Sequence, residues 1–299
     1  NKDLEKHLKP FGYYPSKTTA GLWHHKTRKI TFTLIVDDFG VCYVDKKDAD
    51  HLFDAIKKKY PIKIDWTGSK YSGINLEWHY DEGYVILSMK GYVQRALKQF
   101  LYEARKPVHG PTKFDRPEYG KKVQYARNNT SKPLNKKLKS KIQQVCGKFL
   151  FSGQAVDKTM QHALNELCID ASNATEEIQE ALLHFMDYLA THPDAKIIYR
   201  KSDMQLQIIS DAAYLVAKMA RSRAGGYHFL GNRDGKLFNG PIYILAKVIK
   251  AVMSSAADAE CGSLYINASD AVPFIITLWE LGHPQLPVPI QTDNSTAYG

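Results

Sequence analysis

The sequence predicts an α+β protein, and three observations carry that prediction. A strand-period pattern that doubles back lies near residue 35. Apolar stripes at helical spacing fill residues 142–189. A strand-rich stretch, then helices, then one last strand close the chain. With 299 residues there is length for two domains and a connecting segment. A hydrophobic fraction of 44% and a charged fraction of 24% suit a chain that buries a core.

In residues 1–103, Thr31-Phe32-Thr33-Leu34-Ile35-Val36 alternates, with Phe32, Leu34 and Val36 on one face. Gly40 ends a turn and Val41-Cys42-Tyr43-Val44 returns, which reads as a hairpin. Residues 50–60 read as a helix with Leu52, Phe53 and Ile56 inward. Strands are expected at 62–66, 71–78 and 84–88. A helix carrying Val93, Ala96, Leu97, Phe100 and Leu101 ends the unit.

Residues 104–135 are rich in Pro, Gly, Lys and Arg. Arg105, Lys106, Lys113, Arg116, Lys121, Lys122 and Arg127 meet little acidic charge, and Tyr119 and Tyr125 interleave with them. Such a segment tracks a phosphate backbone, and a solvated linker has the same composition. Residues 136–193 read as helices. Their stripes are Ile142, Val145, Cys146, Phe149 and Leu150; Met160, Ala163, Leu164 and Leu167; and Ile178, Ala181, Leu182, Phe185 and Leu189.

Residues 194–299 open with strands at 197–199 and 206–209. A basic stretch at 218–223 leads to a strand at 225–230, and within it Arg221 and Arg223 are further candidates for nucleic-acid contact. A helix from Ser254, another over 271–281, and a strand from Pro287 to near Asp293 complete a mixed sheet with helices.

The net charge of +10 favours a polyanionic partner, nucleic acid before membrane, although a solvated basic surface carries charge equally well. The four cysteines form no C-x-x-C pair and no zinc set. Cys146 and Cys168 fall on apolar stripes and read as buried free thiols, so a reducing, intracellular compartment is expected. We expect neither a membrane span nor a signal peptide. No nucleophile elbow surrounds Ser254-Ser255, and no Lys-Ser/Thr follows Gly225-Gly226, which argues against a serine hydrolase and a P-loop enzyme. His192 and His283 precede prolines and read as helix ends.

Four acidic features remain. Asp37 and Asp38 sit at the hairpin turn, where both carboxylates can approach one cation, and Asp-Asp-x-Gly is also ordinary turn chemistry. Ser255-Ala256-Ala257-Asp258 has the capping-box pattern. Glu260 then borders a stripe of Ala257, Cys261, Leu264 and Ala268 expected to face inward. A carboxylate there is expensive to bury unless a metal or a basic partner offsets the cost. Asp211 and Asp293 are expected at the ends of strands. Two strand ends and one helix are what an assembled carboxylate site requires, and hard oxygen ligands favour Mg²⁺ or Mn²⁺ over zinc.

Several stretches carry a resemblance. They are Gly12-Tyr13-Tyr14-Pro15-Ser16, Val36-Asp37-Asp38-Phe39-Gly40, Leu87-Ser88-Met89-Lys90-Gly91-Tyr92 and Ala155-Val156-Asp157-Lys158-Thr159-Met160. Ser210-Asp211-Ala212-Ala213-Tyr214, Ser222-Arg223-Ala224-Gly225-Gly226, Ser254-Ser255-Ala256-Ala257-Asp258-Ala259-Glu260 and Gln291-Thr292-Asp293-Asn294-Ser295 follow in order. In these the chain resembles the reverse transcriptase–ribonuclease H region of copia-type LTR-retrotransposon polyproteins.

The resemblance implies the C-terminal part of a polymerase palm and the start of the thumb in 1–103, a basic linker in 104–135, thumb or connection helices in 136–193 and an RNase H-like domain in 194–299. Asp37 and Asp38 would be the polymerase aspartate pair, and Asp211, Glu260 and Asp293 three of four RNase H ligands. Two Mg²⁺ or Mn²⁺ ions per active site are implied, with RNA template, DNA primer, RNA–DNA hybrid and deoxynucleotides as partners, in the cytoplasm within a virus-like particle. Ile35 stands where the family has an aromatic residue, and Cys261 where an aromatic is common. The chain begins with Asn1 rather than Met, and we expect a segment of a longer polyprotein. The first palm aspartate and the fingers should lie before Asn1 and the fourth RNase H ligand beyond Gly299, so the fragment alone should be weak or inactive. Two other readings compete: a non-catalytic nucleic-acid-binding remnant of a decayed element, and an RNase H-fold nuclease without polymerase activity.

Overall fold

The computed structural model describes residues 2–113 and 129–295. It is a mixed α and β structure with three four-stranded sheets among the described residues. The first module opens with helix Lys2–Leu8 (α1), followed by strands Tyr13–Pro15 (β1), Leu22–His25 (β2), Ile30–Ile35 (β3) and Asp38–Tyr43 (β4). These pair antiparallel in chain order. Helix Lys46–Lys57 (α2) starts where the Asp45 side chain accepts the Lys47 N–H. Leu52 and Ile56 from α2 meet Tyr13, Trp23 and Phe32 in one core. The β3–β4 hairpin turns more tightly than the sequence suggested. Ile35 pairs with Asp38, and Val36 takes φ 58 at the tip, 92% exposed, instead of sharing a face with Phe32.

A second sheet contains Lys70–Tyr71 (β5), Ile74–His79 (β6) and Tyr84–Ser88 (β7). The single strand expected over 71–78 is broken by Ser72 and Gly73, whose φ values of 48 and 81 make a tight hairpin. The strand expected over 62–66 is absent. Asp65 accepts hydrogen bonds from the N–H groups of Thr67 and Ser69, 2.9 Å each, and that local turn competes with a ladder. The fourth strand, Lys196–Arg200 (β8), comes from far along the chain and pairs with β7 through Ile86–Ile198 and Leu87–Ile197. The sequence had placed residues 197–199 at the start of the last domain, so this strand is reassigned to the second sheet.

Between β7 and β8 lie helices Tyr92–Gln99 (α3), Lys136–Ala155 (α4), Gln161–Asp170 (α5) and Glu176–Thr191 (α6). Their stripes close into one core around Phe149, Met160, Leu164, Phe185 and Met186. Cys146 is buried there. Cys168 is exposed, contrary to expectation. A hydrogen bond from the Cys146 thiol lowers the Cys168 pKa to about 7, while the same bond and burial raise that of Cys146.

The last module comprises strands Gln205–Ala217 (β9), Arg221–Gly231 (β10) and Pro241–Val248 (β11), helix Ala256–Glu280 (α7) and strand Ile290–Gln291 (β12). The sheet order is β11-β10-β9-β12. The first three strands are antiparallel, and β12 runs parallel to β9. Strand β11 was not anticipated, although Pro241-Ile242-Tyr243-Ile244-Leu245 has the residue types of a strand. In place of two helices, α7 runs unbroken through Pro273, since Ala271 and Leu278 on either side of it pack into the same core as Leu206 and Ile208. By length and hydropathy α7 could cross a membrane, which the sequence reading had not anticipated, yet it packs along β9 and β10 with a buried glutamate and asparagine. The Glu280 carboxylate at its end accepts hydrogen bonds from the hydroxyls of Ser16, Thr18 and Thr19, joining the last module to the first.

Candidate metal centre

Strand pairing brings two of the carboxylates together. Ile290 lies opposite Ile208 and Gln291 opposite Ile209. Continuing that register by two residues sets Asp293 beside Asp211. Asp211 does not end its strand as expected. It sits in the middle of β9, which continues to Ala217 because β10 pairs along that length.

Helix α7 supplies the third carboxylate. The Ser255 hydroxyl accepts the Asp258 N–H at 3.1 Å, and Asp258 in return accepts the Ser254 N–H at 3.2 Å. This reciprocal cap fixes the start of the helix. One turn later Glu260 faces β9 and is only 6% exposed. Its Oε1 accepts the Ala212 N–H at 3.2 Å, and the same N–H lies 2.9 Å from Asp211 Oδ1. Glu260 Oε2 is buried without a hydrogen-bond partner. Burial raises the Glu260 pKa, and the charges of Asp211 and Asp293 push it further up against the Ala212 hydrogen bond.

One oxygen from each of Asp211, Glu260 and Asp293 lies within 4.8 Å of the others. Three carboxylates that close repel one another, and a buried oxygen without a partner adds a desolvation cost. A hard divalent cation offsets both. The all-oxygen donor set and the orphaned Glu260 Oε2 therefore fit Mg²⁺ or Mn²⁺.

The other candidates are arranged differently. Asp37 and Asp38 are exposed at the tip of the β3–β4 hairpin, and among the described residues no third acidic group gathers beside them. Arg105 is exposed yet held by an acidic partner: its Nε and Nη2 donate to Asp187 Oδ2 at 3.0 and 2.9 Å, and Asp187 is fully buried. Removing this guanidinium should leave a buried carboxylate short of donors. Arg105→Ala is expected to lower stability by about 2–3 kcal/mol in urea unfolding. Arg223 is 9% exposed and pairs with Glu166 and Asn165, and half-buried Arg221 reaches the Lys250 carbonyl. Lys106 and Lys113 are exposed. Arg116, Lys121, Lys122 and Arg127 lie outside the described residues.

The buried face of α7 differs from the stripe read in the sequence. Ala259, Glu260, Ser263, Asn267 and Ala271 face the sheet, whereas Cys261 and Ala268 are exposed. The sheet beneath offers the Ser210 hydroxyl and the carbonyls of Asp211 and Gly225, which need polar partners more than apolar cover. Sequence reasoning missed Ser210, Ser263, Asn267 and His228. The available signal was small polar residues at 260, 263 and 267, spaced as one helical face.

His228 is fully buried between Tyr243 and Phe274, with Nε2 2.8 Å from Asn267 Oδ1. Burial lowers its pKa, opposed by the Asn267 hydrogen bond and the charge of Asp270. A histidine with a depressed folded pKa is protonated first in the unfolded chain. Its contribution to stability is complete above the unfolded value of about 6.5 and is lost as pH falls below it towards the folded value. Urea unfolding at pH 7.5 and 5.5 should show a larger loss for the wild type than for His228→Gln, which keeps a donor to Asn267 but does not titrate.

Comparison with protein-family models, curated proteins and solved structures finds no match to this chain.

Proposed function

We propose that the last module is a divalent-metal nuclease that cleaves the RNA strand of an RNA–DNA hybrid. In this reading the chain comes from a copia-type reverse transcriptase–ribonuclease H polyprotein. The observation that carries the reading is the convergence of Asp211, Glu260 and Asp293 from a central strand, a helix and the segment just after a parallel edge strand. The order of that sheet, three antiparallel strands with a fourth parallel to the first, agrees with the RNase H-like module implied by the motifs.

Asp211, Glu260 and Asp293 would hold the cations, which when bound stabilise the charge of an in-line displacement at phosphorus. Glu260 would be the buried ligand, with one oxygen oriented by the Ala212 N–H and the other left without a partner. Asp211 and Asp293 are exposed, so the site opens at the surface, where a polymer backbone can lie across it.

A specific observation favours a second reading for this chain, a hybrid nuclease without polymerase activity. Asp37 and Asp38 stand at an exposed tip without a third acidic partner among the described residues. Polymerase chemistry requires a metal clamp that two adjacent turn residues alone hold weakly. Hybrid-cleavage and primer-extension assays on this chain test both readings. We expect Mn²⁺-dependent cleavage of the RNA strand, retained in Asp37→Asn and Asp38→Asn, and no templated synthesis. Robust synthesis would show the polymerase site to be complete. Cleavage that persists in excess EDTA would reject the metal mechanism.

A further inference from the structure

Behind the carboxylates lies a relay of buried polar side chains. Ser263, Asn267 and His228 are fully buried and Ser210 is 2% exposed. Donors and acceptors form one consistent chain. His228 Nε2–H donates to Asn267 Oδ1 at 2.8 Å. The Asn267 amide donates to Ser210 Oγ at 3.0 Å and to the Gly225 carbonyl at 2.9 Å. Ser210 donates to Ser263 Oγ at 3.1 Å, and Ser263 donates to the Asp211 carbonyl at 2.7 Å. This assignment of the His228 tautomer and the Asn267 amide gives every bond named here a donor and an acceptor, and it leaves His228 Nδ1 buried without a partner.

The relay ends on the backbone carbonyl of Asp211, one of the three clustered carboxylate residues. Ser263 follows Glu260 by three residues and shares its buried face. Its hydroxyl holds the backbone of Asp211. One hydrogen bond thus ties the strand bearing one carboxylate to the helix bearing another. Asn267, a turn further on, secures both β9 and β10. Apolar packing at this interface would let the helix shift against the sheet, whereas directional bonds fix its register.

We propose that Ser263 and Asn267 are positioning residues that set the separation of Asp211 and Glu260 for a divalent cation. The proposal rests on the metal-centre reading above. It concerns how firmly the two ligands are placed, so its first readout is cation affinity rather than turnover.

The test is Mn²⁺ binding to the full chain, followed by the electron paramagnetic resonance signal of free Mn²⁺, with unfolding measured separately in EDTA. Ser263→Ala should weaken Mn²⁺ binding about tenfold, the usual scale for losing a group that orients a ligand. Ser210→Ala removes the hydroxyl that bridges Asn267 and Ser263, leaving their direct contacts, and should weaken it by a smaller factor. It serves as the second variant should Ser263→Ala fail to fold. Ser152→Ala removes a buried hydroxyl that donates to the Phe149 carbonyl within α4, and it should leave Mn²⁺ affinity unchanged. Wild-type binding that folded Ser263→Ala and Ser210→Ala both retain would overturn the positioning role while leaving the metal site standing. A loss of affinity in Ser152→Ala matching that in Ser263→Ala would also overturn it, since general loosening would then suffice. A wild type that binds no Mn²⁺ would reject the metal-centre reading and this proposal with it.

Discussion

Glu260→Gln is expected to lower hybrid cleavage at least about a hundredfold while making the metal-free protein more stable at neutral pH. Losing several kcal/mol of transition-state charge stabilisation corresponds to that rate loss or more. The stability gain has a separate origin. Glu260 is nearly buried, has an oxygen without a partner and feels both neighbouring aspartates, so its ionised form is disfavoured in the folded state. A neutral amide of the same shape should raise stability by on the order of 1 kcal/mol.

The pH dependence follows in sign. The folded pKa of Glu260 lies above its unfolded value, so the destabilising contribution is full above the folded pKa and disappears as pH falls to the unfolded value near 4.3. The advantage of Glu260→Gln over wild type in urea unfolding should therefore shrink as the solution is acidified. Asp211→Asn should lose cleavage to a similar degree with less gain in stability, because Asp211 is exposed. Cleavage retained in both variants would remove Asp211 and Glu260 from the chemistry.

Gly226→Ala should give the largest change in stability. A Cβ at this position would lie 1.8 Å from Asn267 Oδ1 and 2.8 Å from its Cγ. The Asn267 side chain would have to leave, breaking its bonds to Ser210, Gly225 and His228 inside the helix–sheet interface. Overpacking and stranded polar groups together should cost about 3 kcal/mol or more. Gly225 provides the comparison, since a Cβ there would meet only the Asp211 carbonyl at 3.6 Å, an ordinary contact. Gly225→Ala should unfold within about 1 kcal/mol of wild type. Similar behaviour of the two variants in urea would mean that the Asn267 contact is not what demands a glycine.

Local chemistry was legible in the sequence where it depends on neighbours along the chain. The Ser255–Asp258 cap, the hairpin at residues 30–43 and the stripes of α4 to α6 all follow from spacing and residue type. Asp211, Glu260 and Asp293 were also identifiable, but their convergence depends on the parallel register of β12 with β9, which no local pattern encodes. The same limit explains β8, whose short apolar run fits either sheet and whose partner is settled by tertiary pairing. Helix α7 misled for another reason. Its apolar residues outnumber its polar ones, yet the polar seam is buried, because Ser263 and Asn267 satisfy strand groups that an apolar face could not. Arg105 and Arg223 show the limit of reading charge. In a basic chain an arginine is as readily committed to a buried or neighbouring acid as to a phosphate, and only the partner distinguishes the two.

The most direct test of the metal centre is the anomalous diffraction signal of Mn²⁺ in crystals of the full chain. The account predicts a peak at coordination distance from Glu260 Oε2 and from an oxygen of Asp211 or Asp293, and its loss in Glu260→Gln. Well-ordered carboxylates with no peak between them at millimolar Mn²⁺, or a peak that Glu260→Gln leaves in place, would contradict it.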